Sequence, residues 1–304
     1  MKALVLDETR RLELRDVPEP VAGPGQTLVE VRAAGVNYAD VLIREGRYPQ
    51  PPALPYVPGS EVAGTTGDGR RVVGFVRAEG GGYADRVAVE DDWLFDLPDG
   101  ASFEQGAAFV LAHLTAWIPL TRQVVVPPGA RVLVTAAAGG VGSAAVQLAR
   151  ALGAHVVGAV GSPDKRAHVL ALGAPEAVLY EEVGGLGPFD VILDQVGGEV
   201  FAAGLEQLRP LGTIVAVGFA GGAWPTIDPA RLVGRNTSVA GFYLGRLMRF
   251  EPELVRTAVG ELLERWAAGS ISPSVGATFP LSAGDEALRM VAERRSTGKV
   301  VLLP

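Results

Sequence analysis

One segment, Val132 to Gly153, narrows the possible folds more than any other stretch of the chain. The apolar run Val132–Ala136 has the character of a buried strand and stops at a turn of small residues. An amphipathic helical pattern then begins and runs to Leu152. Gly139 and Gly142 hold the second and third positions of a G-x-G-x-x-G pattern, with Ala137 in place of the first glycine. Small residues there let the backbone approach a pyrophosphate, and a helix N-terminus adds free N–H groups and a positive dipole end. Alone, such a pattern is also met in tight turns that bind nothing. Set between a strand and a helix, it points to a dinucleotide.

The rhythm on either side differs. Residues 1–95 hold short strand-like runs broken by Gly and Pro (Ala3–Leu6, Leu12–Arg15, Thr27–Ala34, Arg71–Val76, Ala84–Val89), which predict a compact, largely antiparallel, barrel-like unit. From about residue 130, strands alternate with helices: His155–Val160, Ala177–Tyr180, Val191–Val196, Gly212–Val217 and a last strand near Thr237–Leu244 follow Val132–Ala136. That alternation predicts an α/β, Rossmann-type, doubly wound parallel sheet of six strands. One crossover is short. Only nine residues lie between Tyr180 and Asp190, too few for an ordinary helix, so a loop is expected. Helical patterns at Pro252–Ala268 and Ala283–Arg294 precede a final strand, Lys299–Leu302. The expected division is residues 1–112, residues 113–244, and a return segment, 245–304, that completes the first domain.

Composition removes several function classes. The chain has 304 residues, no cysteine and a formal charge of −7, which excludes disulfides and thiolate chemistry and argues against nucleic-acid partners. The N-terminus enters an alternating strand directly, and no apolar run is long enough to span a membrane. The expectation is a cytoplasmic protein without a membrane partner. The three histidines, His113, His155 and His168, lie in separate segments, so no metal site is expected.

The second strand of the sheet bears on which dinucleotide binds. An NAD site of this type places an acidic residue about twenty positions beyond the glycine turn, on the ribose hydroxyls. Here that strand ends Gly158-Ala159-Val160-Gly161-Ser162, without a carboxylate. Ser162, Lys165 and Arg166 could instead bind a 2′-phosphate, which favours NADPH. Asp164 lies close by, but Ser162-Pro163-Asp164 reads as the first residues of a helix, where an acid complements the dipole.

Further blocks carry a resemblance. Gly35-Val36-Asn37-Tyr38-Ala39-Asp40, Gly46-Arg47-Tyr48-Pro49, Pro58-Gly59-Ser60-Glu61-Val62-Ala63-Gly64, Ala136–Gly142, Asp194–Gly198 and Gly298–Leu302 together resemble the zinc-independent quinone oxidoreductases of the medium-chain dehydrogenase/reductase superfamily. The resemblance implies a GroES-like, mainly β catalytic domain beside the Rossmann domain, NADPH, and a homodimer. It implies that Gly139, Gly140 and Val141 lie under the pyrophosphate, and that Ser162, Lys165 and Tyr180 surround the 2′-phosphate. Thr115, Gly218, Phe242 and Arg294 would line the rest of the cofactor groove. The usual catalytic histidine of zinc-dependent relatives is replaced by Ser60, and a second pocket tyrosine found in some relatives by Leu42.

The expected chemistry is hydride transfer to a quinone or an activated alkene, with Asn37 and Tyr48 as the catalytic candidates. Asn37 could orient the acceptor carbonyl or the nicotinamide ribose, or merely cap a turn; Tyr48 could donate to the acceptor or pack on prolines. Asp40 and Glu61 read as structural hydrogen-bonding groups. Alternatives are an enone, alkenal or enoyl-thioester reductase, and a non-catalytic NADPH-binding structural or regulatory protein. The apolar edge at residues 237–244 would be covered by a second copy.

Overall fold

A computed structural model describes residues 1–76 and 80–304. The chain divides into two units, Met1–Leu111 with Pro273–Pro304, and Ala112–Ser272.

The Ala112–Ser272 unit contains a six-stranded sheet in the order Glu176–Leu179, His155–Val160, Arg131–Val134, Phe189–Asp194, Leu208–Ala216, Ser238–Gly241. All its pairings are parallel. Its central strands are apolar on both faces because helices cover both: Val132, Leu133, Val134, Ile192, Leu193, Ile214 and Val215 are fully buried. The chain winds outward from Arg131–Val134 in one direction, then returns to its other side through Phe189–Asp194. That reversal makes a switch point between these two strands, whose carboxyl ends are where open α/β sheets bind ligands. The short crossover holds only a three-residue 3-10 turn, Tyr180–Glu182, as the brief spacing predicts. Val183 fills the space beneath it and is fully buried.

Three sequence expectations change here. The edge strand is Ser238–Gly241, shorter than 237–244, because Tyr243 caps a helix, Leu244–Phe250. The strand predicted from Gly212 begins earlier, at Leu208. The return to the first unit starts at Pro273 and not at 245. The reason is packing: Val255, Ala258, Val259 and Leu262 of the helix Pro252–Ala267 are fully buried. Trp117 Nε1 donates to Glu261 at 2.6 Å, and the Arg265 guanidinium lies 4.5 Å from the Trp117 ring centroid. Gln147 closes the segment with paired hydrogen bonds to the Ser272 backbone at 2.8 and 2.9 Å.

The other unit holds a sheet in the order Val275–Pro280, Lys299–Leu303, Gln26–Val36, Glu61–Thr66, Arg71–Phe75, Leu94–Asp96, with Arg86–Glu90 also on Gln26–Val36. A separate hairpin pairs Lys2–Leu6 with Leu12–Asp16. Lys299–Leu303 runs antiparallel to Gln26–Val36, with Val300 opposite Val36 and Val301 opposite Gly35. This register brings Lys299 beside Asn37, which follows Val36 directly. Among the described residues no helix is long and apolar enough to cross a membrane.

Candidate active site

The glycine turn leaves the sheet at the switch point. Ala136 takes a left-handed conformation, φ 47°, and its carbonyl accepts from Gly139 N at 2.9 Å. Ala137, in the first-glycine position, is fully buried, and its N–H bonds Ala159 O at 3.0 Å. Gly142 is required by close packing, since a Cβ there would lie 2.1 Å from Ala136 O. Gly139 differs. A Cβ there would meet only Ala136 O, at 3.3 Å, a tight contact but far milder than that at Gly142. It is the N-cap of the helix Gly140–Ala151, with no side chain capping the helix. A small residue at the N-cap, with the N–H groups of Gly140 and Val141 in the first turn, fits a diphosphate.

Asp194 fastens the neighbouring strand end to this turn. Its carboxylate accepts from Thr135 Oγ1 and from Gly197 N, each at 2.8 Å. Gln195 adds bonds from its N to Thr135 Oγ1 at 2.9 Å and from its Nε2 to Thr135 O at 2.8 Å. Asp194 is fully buried, and burial raises its carboxyl above the usual range despite these donors. Gly218 follows the next strand at the same sheet end, where a Cβ would touch only Gln195 O at 3.4 Å. Phe242 is buried, with its N–H on Ala216 O at 3.0 Å. Thr115 is buried on the helix Val110–Ile118.

At the end of the second strand, Tyr180 lies against Gly161: a Cβ on that glycine would meet the ring at 3.2 Å. Tyr180, from a different strand, thus stands beside the residue that precedes Ser162. Ser162 opens a 3-10 turn, Pro163–Lys165, and the α-helix starts only at Arg166. Asp164 stands in that first turn, after the N-cap Ser162 and Pro163, as the sequence predicts. It is bonded to the Ser162 hydroxyl, which holds its carboxyl below the usual range. Arg166 is tied to Glu182, whose carboxylate also accepts from Leu179 N at 2.5 Å. His168 Nε2 lies 3.1 Å from Ser143 Oγ, and burial lowers its pKa. His155 pairs with Glu176 at 2.8 Å, and His113 is buried. No group of three potential metal ligands occurs among the described residues.

Within the other unit, Asn37 sits in a charged, buried network. Its Nδ2 donates to Glu61 Oε1 at 3.1 Å and to Gly35 O at 3.3 Å, and its Oδ1 accepts from Lys299 Nζ at 2.5 Å. Lys299 also pairs with Glu61 at 2.5 Å; the two side chains are 5% and 0% exposed. The other Glu61 oxygen accepts from Leu111 N at 2.9 Å. Asp40 accepts from Asn37 N at 2.8 Å and from Tyr83 OH at 2.7 Å. Burial nevertheless pushes the Asp40 carboxyl up to about 6 and the Tyr83 phenol well above its usual range. Lys299 did not stand out in the sequence as a site residue. The available signal was a scarce lysine opening the apolar run Lys299–Leu302. Tyr48 packs against the cluster of Leu6, Ile43 and Tyr56. Arg294 is exposed and left-handed, φ 58°, just beyond the helix Gly284–Ala292.

Two family descriptions match the chain: alcohol dehydrogenase GroES-like domain over residues 23–99, and zinc-binding dehydrogenase over residues 140–260. Quinone oxidoreductase-like protein 2 homolog of Nematostella vectensis is 37% identical over 302 residues, covering 92% of this chain and 82% of that protein. The chain belongs to the quinone oxidoreductase-like medium-chain dehydrogenases/reductases. Among solved structures, the quinone oxidoreductase of Thermus thermophilus, described with its NADPH complex, is 42% identical with a TM-score of 0.90; both chains are fully covered. The Escherichia coli quinone oxidoreductase complexed with NADPH is 29% identical, again with a TM-score of 0.90 and full coverage of both. Within this family, the GroES-like match contains Asn37, Tyr48 and Glu61. The second match begins at Gly140, in the first turn of the uncapped helix.

Proposed function

We propose that the chain is an NADPH-dependent reductase that passes hydride to a quinone-type acceptor without zinc. The observation that carries this reading is the glycine turn itself, which opens the helix Gly140–Ala151 with no side-chain cap on its first N–H groups, next to a second strand that carries no glutamate or aspartate. Gly139, Gly140 and Val141 hold the diphosphate; Ser162, Lys165 and Tyr180 hold the 2′-phosphate. Thr115, Gly218, Phe242 and Arg294 contact the rest of the cofactor. NADPH, when bound, supplies the hydride. Asn37 orients a bound group, and Tyr48 shapes the acceptor side. A quinone is reduced to a weakly basic phenolate, so the reaction needs no strong acid from the protein. The NADPH complexes of the two solved relatives support the cofactor assignment.

A panel of acceptors tests the reaction. NADPH consumption is expected with 1,4- or 1,2-quinones and to be slower with 2-alkenals and crotonyl thioester. Turnover of the alkenes alone would make the chain an enone or enoyl reductase, and tight NADPH binding without any turnover a non-catalytic protein. Lys165→Ala is expected to raise the KM for NADPH about ten-fold or more, the value of one charge-assisted bond, and to leave NADH nearly unchanged. Equal effects on both cofactors would remove the phosphate role.

The chain is also proposed to form a homodimer through Ser238–Gly241. Its outer edge is open within the described sheet, and Leu211, Val233 and Tyr243 nearby are 84%, 78% and 54% exposed. Sedimentation equilibrium at micromolar concentration should give twice the chain mass; a monomer would dispose of this assignment.

A further inference from the structure

The helix Gly140–Ala151 has the glycine turn at its N-terminus and a small polar cavity at its other end. That cavity, of about 220 Å³, is lined by Gln147, Arg150, Ala151, Arg265 and Ser270, all within the Ala112–Ser272 unit. It is smaller than the roughly 300–1,000 Å³ of sites that take drug-sized ligands, and it suits a small ion with its water. Gln147 is already spent. Its Oε1 accepts from Ser272 N at 2.8 Å, and its Nε2 donates to Ser272 O at 2.9 Å and Ser143 O at 3.3 Å. The other polar side chains of the lining are donors. Ser270 N donates to Arg265 O at 2.9 Å, and the Ser270 hydroxyl has no partner among the described residues. Neither Arg150 nor Arg265 has a carboxylate partner among them, although acids outnumber lysine and arginine by 34 to 27 in the chain. Both guanidinium groups are nonetheless held in place. Arg150 Nη1 donates to Leu172 O at 3.0 Å, and the group lies over Gly173, φ 87°, where a Cβ would come within 2.5 Å of it. Arg265 lies 4.5 Å from the ring centroid of Trp117, which Glu261 fixes in turn. That contact uses no N–H, and Arg150 spends one, so most of the guanidinium protons remain for a ligand.

We infer that this cavity binds a tetrahedral oxoanion, either inorganic phosphate or the phosphoryl group of a larger molecule, between Arg150 and Arg265, with Ser270 Oγ as a neutral donor. A guanidinium neither accepts a hydrogen bond nor gives up its proton, so only an acceptor satisfies the pair. Its planar fork meets two phosphate oxygens at once. Side chains already anchored on Leu172 O and Trp117 lose little further freedom when the anion arrives. The arginines must do this alone. The carbonyls at this end of the helix are the negative pole of its dipole, whereas the diphosphate at the opposite end has the positive pole. Arg150 in the last turn complements that dipole, and a purely structural Arg150 would stop there and bind nothing.

The test is isothermal titration of inorganic phosphate into the whole chain at about 0.15 M NaCl, with and without saturating NADPH. Saturable binding with a Kd near or below about 1 mM is expected in both conditions. Arg150→Gln and Arg265→Gln should each weaken phosphate about ten-fold or more, the value of one charge-assisted bond, and leave NADPH within about two-fold. Arg265→Lys keeps the charge and the contact with Trp117 but loses the fork, so its affinity should fall between wild type and Arg265→Gln. Ser270→Ala, at an exposed position, should cost about three-fold without affecting the melting temperature. Glycerol 3-phosphate separates the two sources: tighter binding than inorganic phosphate assigns the phosphoryl group of a larger molecule, weaker binding the free ion. Binding that NADPH abolishes, or that survives both arginine-to-glutamine changes, puts the phosphate elsewhere and overturns the inference. So does the lack of saturable binding up to about 20 mM phosphate. Each of these results leaves the dinucleotide function standing.

Discussion

Gly142→Ala should abolish tight dinucleotide binding and destabilise the unit that carries the glycine turn. The new Cβ would lie 2.1 Å from Ala136 O, 2.7 Å from Ala136 C and 2.7 Å from Ala137 Cα, all backbone atoms. None can rotate away as a side-chain end could. Ala136 already occupies the left-handed region at φ 47°, so the turn has little freedom left to absorb the push. Overpacking of this kind costs about 1–3 kcal/mol in stability. The displaced N–H groups should weaken NADPH by about 100-fold, equivalent to roughly 2.7 kcal/mol. Gly139→Ala provides the contrast. Its Cβ meets one carbonyl at 3.3 Å, against 2.1 Å for Gly142, so the melting temperature should fall much less than in Gly142→Ala. Binding should still fall steeply, because the methyl group occupies space assigned to the diphosphate. Thermal melts and NADPH titrations of both variants separate the two causes; wild-type affinity in both would show that the turn does not hold the cofactor.

Glu61→Ala should be the most damaging single change in the other unit. It leaves the Lys299 ammonium, in a side chain 5% exposed, without its carboxylate. It also removes the acceptor for Leu111 N and for Asn37 Nδ2. Breaking a buried pair from one side typically costs about 3–5 kcal/mol, because the surviving charge stays out of water. A fall of roughly 5–15 °C in melting temperature is expected by differential scanning calorimetry. A loss below about 1 kcal/mol would mean that Lys299 reaches solvent or another partner without difficulty.

The features legible in the sequence are those encoded over short stretches. The glycine turn, the parallel strands around it and the trimmed crossover each depend on residues close together in the chain. The missing acid after the second strand was also readable, because its position is counted from the turn. Contacts between distant segments were not. Asn37 and Lys299 are 262 positions apart, and only the antiparallel register of Val300 with Val36 brings them together. Nothing in Lys299-Val300-Val301-Leu302 distinguishes a buried ion pair from a charge at a strand end. The helix Pro252–Ala267 shows the same difficulty in domain assignment. Its amphipathic pattern announces a buried face, but the partners, Trp117 and its neighbours, are more than a hundred residues away.

The most direct measurement follows the absorbance at 340 nm of NADPH, and separately of NADH, mixed with 1,4-benzoquinone and the chain after dialysis against a chelator. Quinone-dependent oxidation is expected, with kcat/KM for NADPH about 10–100 times that for NADH and undiminished by the chelator. No oxidation with any quinone, a preference for NADH, or activity that returns only with added zinc would contradict a zinc-free, NADPH-dependent quinone reductase.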